Sequence, residues 1–387
     1  MRVVDGAFGV YVHVPFCAAR CDYCDFATWT DRAHLIDGYV AACVQDVERR
    51  TLSSATSVFF GGGTPSLLEA PQLVRILDAI PRPRGAEVTV ECNPDSVDPA
   101  KLEAYAAAGV NRVSFGVQSM QPHVLAALGR THDPANVVRA VDAARAAGIE
   151  RVNLDLIYGT PGESIADWSA TLDEALALAP THVSAYALTV EPGTPLGRAV
   201  AAGSRLAPDD DDQATKYELA DDRLGAAGFE WYEISNWARP GEECRHNLLY
   251  WSQGEYAGIG CAAHGHTVLG DGWARRWWNA RTPDRFVAAV TAGESAETGH
   301  ELLDGAARTA ERLTLALRTR PGIKLGDEPA DLSGMAASLD ELADAGLVET
   351  DGASAHLTRR GRLLATAVTA RLLDALDGHP FAPAGTR

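Results

Sequence analysis

Residues 8–26 read FGVYVHVPFCAARCDYCDF. The first seven are short, apolar and β-prone, and they run straight into a loop holding Cys17, Cys21 and Cys24 at the spacing C-x3-C-x2-C. Three thiolates this close on one loop can each take one iron of a cubane cluster. A zinc site would normally want a fourth Cys or His at comparable spacing, and this loop has none. Three protein ligands leave a fourth iron open to a small chelating ligand.

Working outward, β-rich runs alternate with amphipathic segments as far as Val190. The runs are 8–14, 57–60 (SVFF), 87–92 (EVTVEC), 112–118 (RVSFGVQ), 151–159 (RVNLDLIYG) and 182–190 (HVSAYALTV). Helices are expected over 31–50, 67–80, 98–108, 134–147 and 164–178, several opened by Asp, Ser or Pro and closed by Gly109 or Gly148. Repeated βα units predict an α/β fold around a parallel sheet. About six units fall short of a complete eight-unit barrel, and length alone leaves a partial barrel and an open doubly wound sheet both standing. The run Asp209–Asp212 after Pro208 reads as the solvated first turn of a helix ending near Gly228. After about residue 280 helical patterns dominate, ending in a helix, a β-hairpin and a helix, as in a small winged-helix unit. Acidic residues outnumber basic ones over 281–387, which favours packing or a lid over DNA.

A chain of 387 residues suggests one large domain and a smaller one, here 1–280 and 281–387. No apolar run reaches the roughly 18 residues of a membrane span, and the N-terminus lacks the features of an export signal, so a cytoplasmic protein is expected. A formal charge of −18 argues against nucleic acid as a partner. Seven cysteines, three of them crowded together, favour a metal site over disulfides. Cys43 and Cys92 are assigned to the core, and Cys244, Cys261 and His264 are read chiefly as structural.

The cysteine spacing resembles that of the radical S-adenosylmethionine superfamily, in which this loop follows the first strand of a partial (β/α)6 barrel. The resemblance implies a [4Fe–4S] cluster whose open iron chelates S-adenosylmethionine, reductive cleavage to a 5′-deoxyadenosyl radical, and an electron donor such as a flavodoxin or ferredoxin. Tyr23 would lie against the adenine or brace the loop. Gly62, Gly63 and Thr64, in the GGGTP that ends the second run, resemble the superfamily's methionine-binding strand end. Glu91, Gln118 and Asp155 each fall at or near the C-terminal end of an expected strand, where βα barrels build their sites. They would accept hydrogen bonds from ribose hydroxyls or the methionine ammonium, Arg130 would pair with its carboxylate, and Ala187 would let the adenine approach.

YVHVPFC, FFGGGTPSLL, ECNP, RVSFGVQS, LDLIYGTPGES, YALTVEPGTPL, YEISNWA and HNLLYW, in that order, are similar to the oxygen-independent coproporphyrinogen oxidase family, and specifically to its haem-chaperone branch. The true oxidase typically has a further cysteine where Phe26 stands, and a long extension where only ten residues precede Tyr11, the aromatic of the first motif counted with the cofactor-binding residues. The resemblance therefore implies haem or porphyrin as ligand, haem-accepting proteins as partners, and leaves a homodimer open. The competing reading is an enzyme, a coproporphyrinogen III dehydrogenase. In HNLLYW, His246 is the expected axial haem ligand, the alternative being a histidine held in a polar network.

Overall fold

The computed structural model describes residues 6–325 and 335–376; residues 1–5, 326–334 and 377–387 lie outside the described part, so the expected 281–387 unit is seen only in part. Strict alternation along the strands shapes it. In β1 (Phe8–Val14), Val10, Val12 and Val14 are buried on one face, and Tyr11 and His13 occupy the other. Residues two apart share a strand face. The same period runs through β2 (Ser57–Gly62), β3 (Glu87–Cys92), β4 (Arg112–Gln118), β5 (Arg151–Tyr158) and β6 (His182–Ala187). Val58, Phe60, Val88, Val90, Val113, Phe115, Val152, Leu154, Val183 and Ala185 thus make one apolar surface.

The crossover helices α1 (Ile36–Arg49), α2 (Ala70–Ala79), α3 (Pro99–Ala107), α5 (Pro134–Ala146) and α6 (Ile165–Ala177) cover that surface, while the short α4 (Pro122–Ala127) packs through Val124 in a separate cluster with Ile157 and Leu188. Their starts obey local chemistry. Asp98 caps α3, Asp133 caps α5, and Ser164 forms a capping box with Asp167 on α6. Helices α7 (Pro195–Ala201) and α8 (Asp210–Ala226) follow, with Asp209 as the N-cap of α8.

Strands β1 to β6 pair in parallel and in sequence order. A doubly wound sheet would reverse its order part-way, so the two topologies that length left standing are separated in favour of the barrel. The sheet then continues on both sides. Beyond β6 lie β8 (Asn236–Ala238) and β7 (Glu230–Glu233), antiparallel. Beyond β1 lie β9 (Glu255–Ile259), parallel to it, then β10 (His264–Val268), β11 (Ala274–Asn279) and β12 (Glu297–Leu303), giving twelve strands. Between β8 and β9, α9 (Arg245–Trp251) packs against β1 and β2.

The main sheet does not stop at residue 280: β12 extends it to Leu303, and Phe286 and Val290 of α10 (Pro283–Thr291) belong to the main core. A second core gathers from Leu313 to Leu373. It is built by α11 (Gly305–Ala316), β13 (Ile323–Lys324), α12 (Ala336–Asp344), the hairpin β14 (Val348–Thr350) and β15 (Ser354–Leu357), α13 (Arg359–Leu363) and α14 (Ala365–Asp374). The helix, hairpin and helix read from the sequence are present.

Candidate functional site

The cysteine loop leaves β1 and returns under tight backbone control: Cys17 N donates to Trp29 O at 3.1 Å and Trp29 N to Pro15 O at 2.7 Å. All three thiols are partly exposed and free. Burial raises the Cys17 and Cys24 thiols above their ordinary pKa. Two donors reach the sulfurs, Thr64 Oγ1 to Cys17 Sγ at 3.7 Å and Arg130 Nη1 to Cys21 Sγ at 3.4 Å. Gly63 is required here, since a Cβ would stand 2.8 Å from the carbonyls of Val14 and Phe16 and 3.0 Å from Cys17 Sγ. At Gly62 the backbone has φ +108° and the His13 imidazole fills the space of a side chain. Gly62, Gly63 and Thr64 thus lie directly beside the loop.

Inside the strands' polar face, Glu91 accepts from Gly62 N at 3.1 Å. Burial, then the neighbouring Asp155, pushes its carboxyl up to about 8. Gln118 ends β4 at φ +64°, across a register shift between Gly116 and Gln118 that re-aims its side chain. Arg130 Nη2 donates to Gly116 O at 2.8 Å, and its buried Nε has no partner. Ala187 closes β6. Tyr23 packs on Val124, Leu128, Ile157, Leu188 and Leu196, the bracing arrangement the reading had offered beside adenine contact.

Asp155 is the fifth of eight residues in β5. It accepts from Ser114 Oγ and Asn153 Nδ2, both at 2.8 Å, in a barrel-interior network that runs from Asn153 to His182 and on to Tyr232. His246 lies opposite the cysteine loop, below the N-terminal ends of β1 to β3. Its Nδ1 meets Ser57 Oγ at 3.0 Å, its Nε2 meets Tyr250 Oη at 2.9 Å, and its backbone N donates to Glu87 Oε1 at 3.1 Å. It is 1% exposed, and burial lowers its pKa to about 3. Both ring nitrogens are engaged, so as folded His246 takes the polar-network role and offers no free nitrogen to an iron. Asn247 likewise donates to Tyr232 and Glu233. The HNLLYW helix is a plug in the barrel floor.

A cleft of about 420 Å³ opens at the mouth, lined by Tyr11, His13, Phe26, Glu91, Tyr250, Tyr256 and His264 among others. The sequence reading missed its far wall. His264, read from the sequence chiefly as structural, is exposed on the cleft. Tyr256 and His13 were not singled out, although alternation in VYVHV put His13 on the same face as Tyr11. The other assignments to the core hold, with Cys43, Cys92, Cys244 and Cys261 all buried.

Residues 11–175 match the Radical SAM superfamily. The fold is that of the Escherichia coli coproporphyrinogen III oxidase, a radical SAM enzyme that superimposes with a TM-score of 0.81 at 22% identity over 95% of this chain and 90% of that one. A barrel of parallel strands with three cysteines at its mouth and this match define a radical S-adenosylmethionine protein. Over 95% of both chains this one is 44% identical to the heme chaperone HemW of Mycobacterium tuberculosis; it is 33% identical to that of Bacillus subtilis over 95% of this chain and 99% of the other. It is also 34% identical to a mitochondrial radical S-adenosyl methionine domain-containing protein 1 of Danio rerio, over 95% and 87%. The chain belongs to the HemW family.

That superfamily implies a [4Fe–4S] cluster and S-adenosylmethionine, and the loop fits a cluster. Its three thiols are free and partly exposed, two have hydrogen-bond donors aimed at them, and Gly63 leaves the room that a side chain would take from Cys17. Among the described residues no three His, Cys, Asp or Glu side chains converge on one metal ion. A cubane asks something different, one thiolate at each of three separate corners.

Proposed function

We propose that this chain is a haem chaperone: it binds haem at the mouth of a barrel whose Cys17, Cys21 and Cys24 hold a [4Fe–4S] cluster, and passes the haem to haem-requiring proteins. The observation that carries the reading is the aromatic cleft beside the cysteine loop, in a chain 44% identical over nearly its whole length to a heme chaperone. Phe26, where the oxidases typically have a cysteine, is 60% exposed at the rim of that cleft. It offers a porphyrin an apolar edge and offers radical chemistry no sulfur.

When bound, the cluster and S-adenosylmethionine supply one-electron chemistry at the barrel mouth. The chain's part is positioning. Thr64 and Arg130 donate to the sulfurs of Cys17 and Cys21 and so hold the two side chains in place. The open edge of GGGTP presents backbone amide and carbonyl groups to the cofactor's methionine end, Glu91 and Gln118 face it from β3 and β4, and the free Nε of Arg130 is available to a carboxylate. Electron delivery by a small flavodoxin or ferredoxin and a homodimeric assembly complete the proposal. The division between the barrel and the C-terminal unit falls near Asp304, where the main sheet ends and the second core begins.

The deciding experiment pairs two assays on the anaerobically reconstituted protein. Haemin titration is expected to give a saturable, roughly stoichiometric Soret band, and coproporphyrinogen III is expected to be left unchanged. Conversion to harderoporphyrinogen or protoporphyrinogen with no haem uptake would overturn the proposal in favour of the enzyme.

A pH dependence tests the cofactor site. Glu91 is mostly protonated at pH 7, and a cationic ammonium beside it would favour the carboxylate, so cofactor binding would release a proton. Affinity for S-adenosylmethionine should therefore rise with pH from 6.5 to about 8, by at most about tenfold per pH unit. Electron paramagnetic resonance of the reduced cluster reads it, because the cofactor should perturb that signal. A profile as flat in the native protein as in Glu91→Gln, or a signal indifferent to saturating cofactor, would sink the assignment.

A further inference from the structure

The mouth cleft carries two imidazoles, and they differ in what is left to them. His13 is spent: its Nδ1 meets Tyr11 Oη at 3.0 Å and its Nε2 meets Ala27 O at 2.9 Å. His264 is exposed on the opposite wall, and neither of its ring nitrogens takes a hydrogen bond from the described residues; what it has is the ring of Trp278, 5.9 Å away on the neighbouring strand. Its position is fixed by backbone packing. A Cβ on Gly258 would stand 2.1 Å from the carbonyl oxygen of His264, so only glycine lets β9 and β10 approach closely enough to set the residue there. The register pairs His264 directly with Trp278.

We infer that His264 is an axial iron donor of the haem site, holding a metalloporphyrin in the mouth cleft against Tyr11, Phe26, Tyr250 and Tyr256. This rests on the haem-chaperone reading and supplies the ligand that the buried, doubly hydrogen-bonded His246 does not. The cleft volume of about 420 Å³ lies within the range of small-molecule sites, roughly 300–1,000 Å³. Its open side leaves part of a porphyrin in solvent, where an acceptor can reach it. Tyr250 and Tyr256 meet edge to face with centroids 4.6 Å apart and present an amphipathic floor. Burial and the nearby Arg276 lower the His264 pKa, with Glu301 opposing, so a lone pair is free at neutral pH. The chemistry also selects the cargo. An imidazole lone pair bonds iron and gains nothing from a metal-free porphyrinogen, so His264 favours haem over the oxidase's substrate.

Haemin titration of the full chain, followed at the Soret band and by electron paramagnetic resonance of the ferric haem, tests the assignment on His264→Ala and His246→Gln. His264→Ala is expected to weaken haemin binding by at least roughly tenfold and to lose the spectrum of histidine ligation, and added imidazole should restore that spectrum. His246→Gln, which keeps hydrogen-bonding groups in the floor network, should retain the native spectrum. Iron and sulfide at the cysteine loop should be the same in both variants, which shows the barrel intact. If native protein binds haemin and His264→Ala binds it with the same affinity and spectrum, the ligand assignment alone is overturned. If native protein binds no haemin, the chaperone reading falls and the assignment with it.

Discussion

Replacing Cys21 by alanine is expected to strip the chain of iron and inorganic sulfide after anaerobic reconstitution, while haemin uptake survives. Cys21 is the middle ligand of the loop and the one whose sulfur receives the Arg130 guanidinium at 3.4 Å. A cubane held by three thiolates cannot spare one, since the remaining two leave two irons without protein ligands. The loop itself should persist. Its ends are tied by the Phe16 and Trp29 bridge and by backbone bonds that do not involve the side chain. Haem retention follows because the cleft wall of Tyr250, Tyr256 and His264 is separate from the thiols. Iron and sulfide analysis checks the first half and the Soret band the second. A variant that kept about four irons per chain would remove these cysteines as the ligand set.

Lys216→Met should cost the barrel about 3–5 kcal/mol, seen as an earlier first transition in thermal or urea unfolding. Lys216 is fully buried in α8, 2.6 Å from Asp212 and 3.1 Å from the equally buried carboxylate of Glu163, and it also donates to Glu163 O at 2.7 Å. Methionine matches its length and removes its charge, which strands Glu163 without a counter-ion. Burial already raises the Glu163 pKa and Lys216 opposes this, so losing Lys216 raises it further. The folded variant then holds a proton that the unfolded chain releases above about pH 4.5, so its deficit should widen as pH rises from 5 to 8. Adding Glu163→Gln should recover part of the loss. A single variant as stable as the native chain, or one whose deficit shrinks with rising pH, would refute this account.

Much of this was legible in the chain. The period-two alternation in VYVHV, EVTVE and RVNLD placed the helix-facing valines and leucines, and Asp98, Asp133 and Ser164 marked helix starts that the structure keeps. These are local effects, fixed by neighbours within a few residues, so the six strands and the position of the cysteine loop follow from the sequence. What local pattern could not show was strand order, both whether β1 to β6 pair in sequence or reverse part-way and what lies beyond them. The pairing of β9 with β1 joins Phe8 to Glu255, far apart in the chain, and β10 to β12 then extend that edge past residue 280.

The functional histidines divide along the same line. A sequence displays an imidazole but not what surrounds it, and HNLLYW and GIGCAAHGH looked alike in that respect. Folding carried His246 under the barrel, where Ser57 from β2 and Tyr250 from its own helix consume both nitrogens. It left His264 on the cleft wall with both unspent. Asp155 is likewise engaged, in the network of Ser114 and Asn153. By itself the sequence determined the βα units, the thiol trio and the glycine-rich strand end beside it, because spacing and alternation are properties of the chain. Only the tertiary structure decided which polar side chains remain free to bind, because a hydrogen bond to a residue 189 positions away satisfies a group as fully as one to its neighbour.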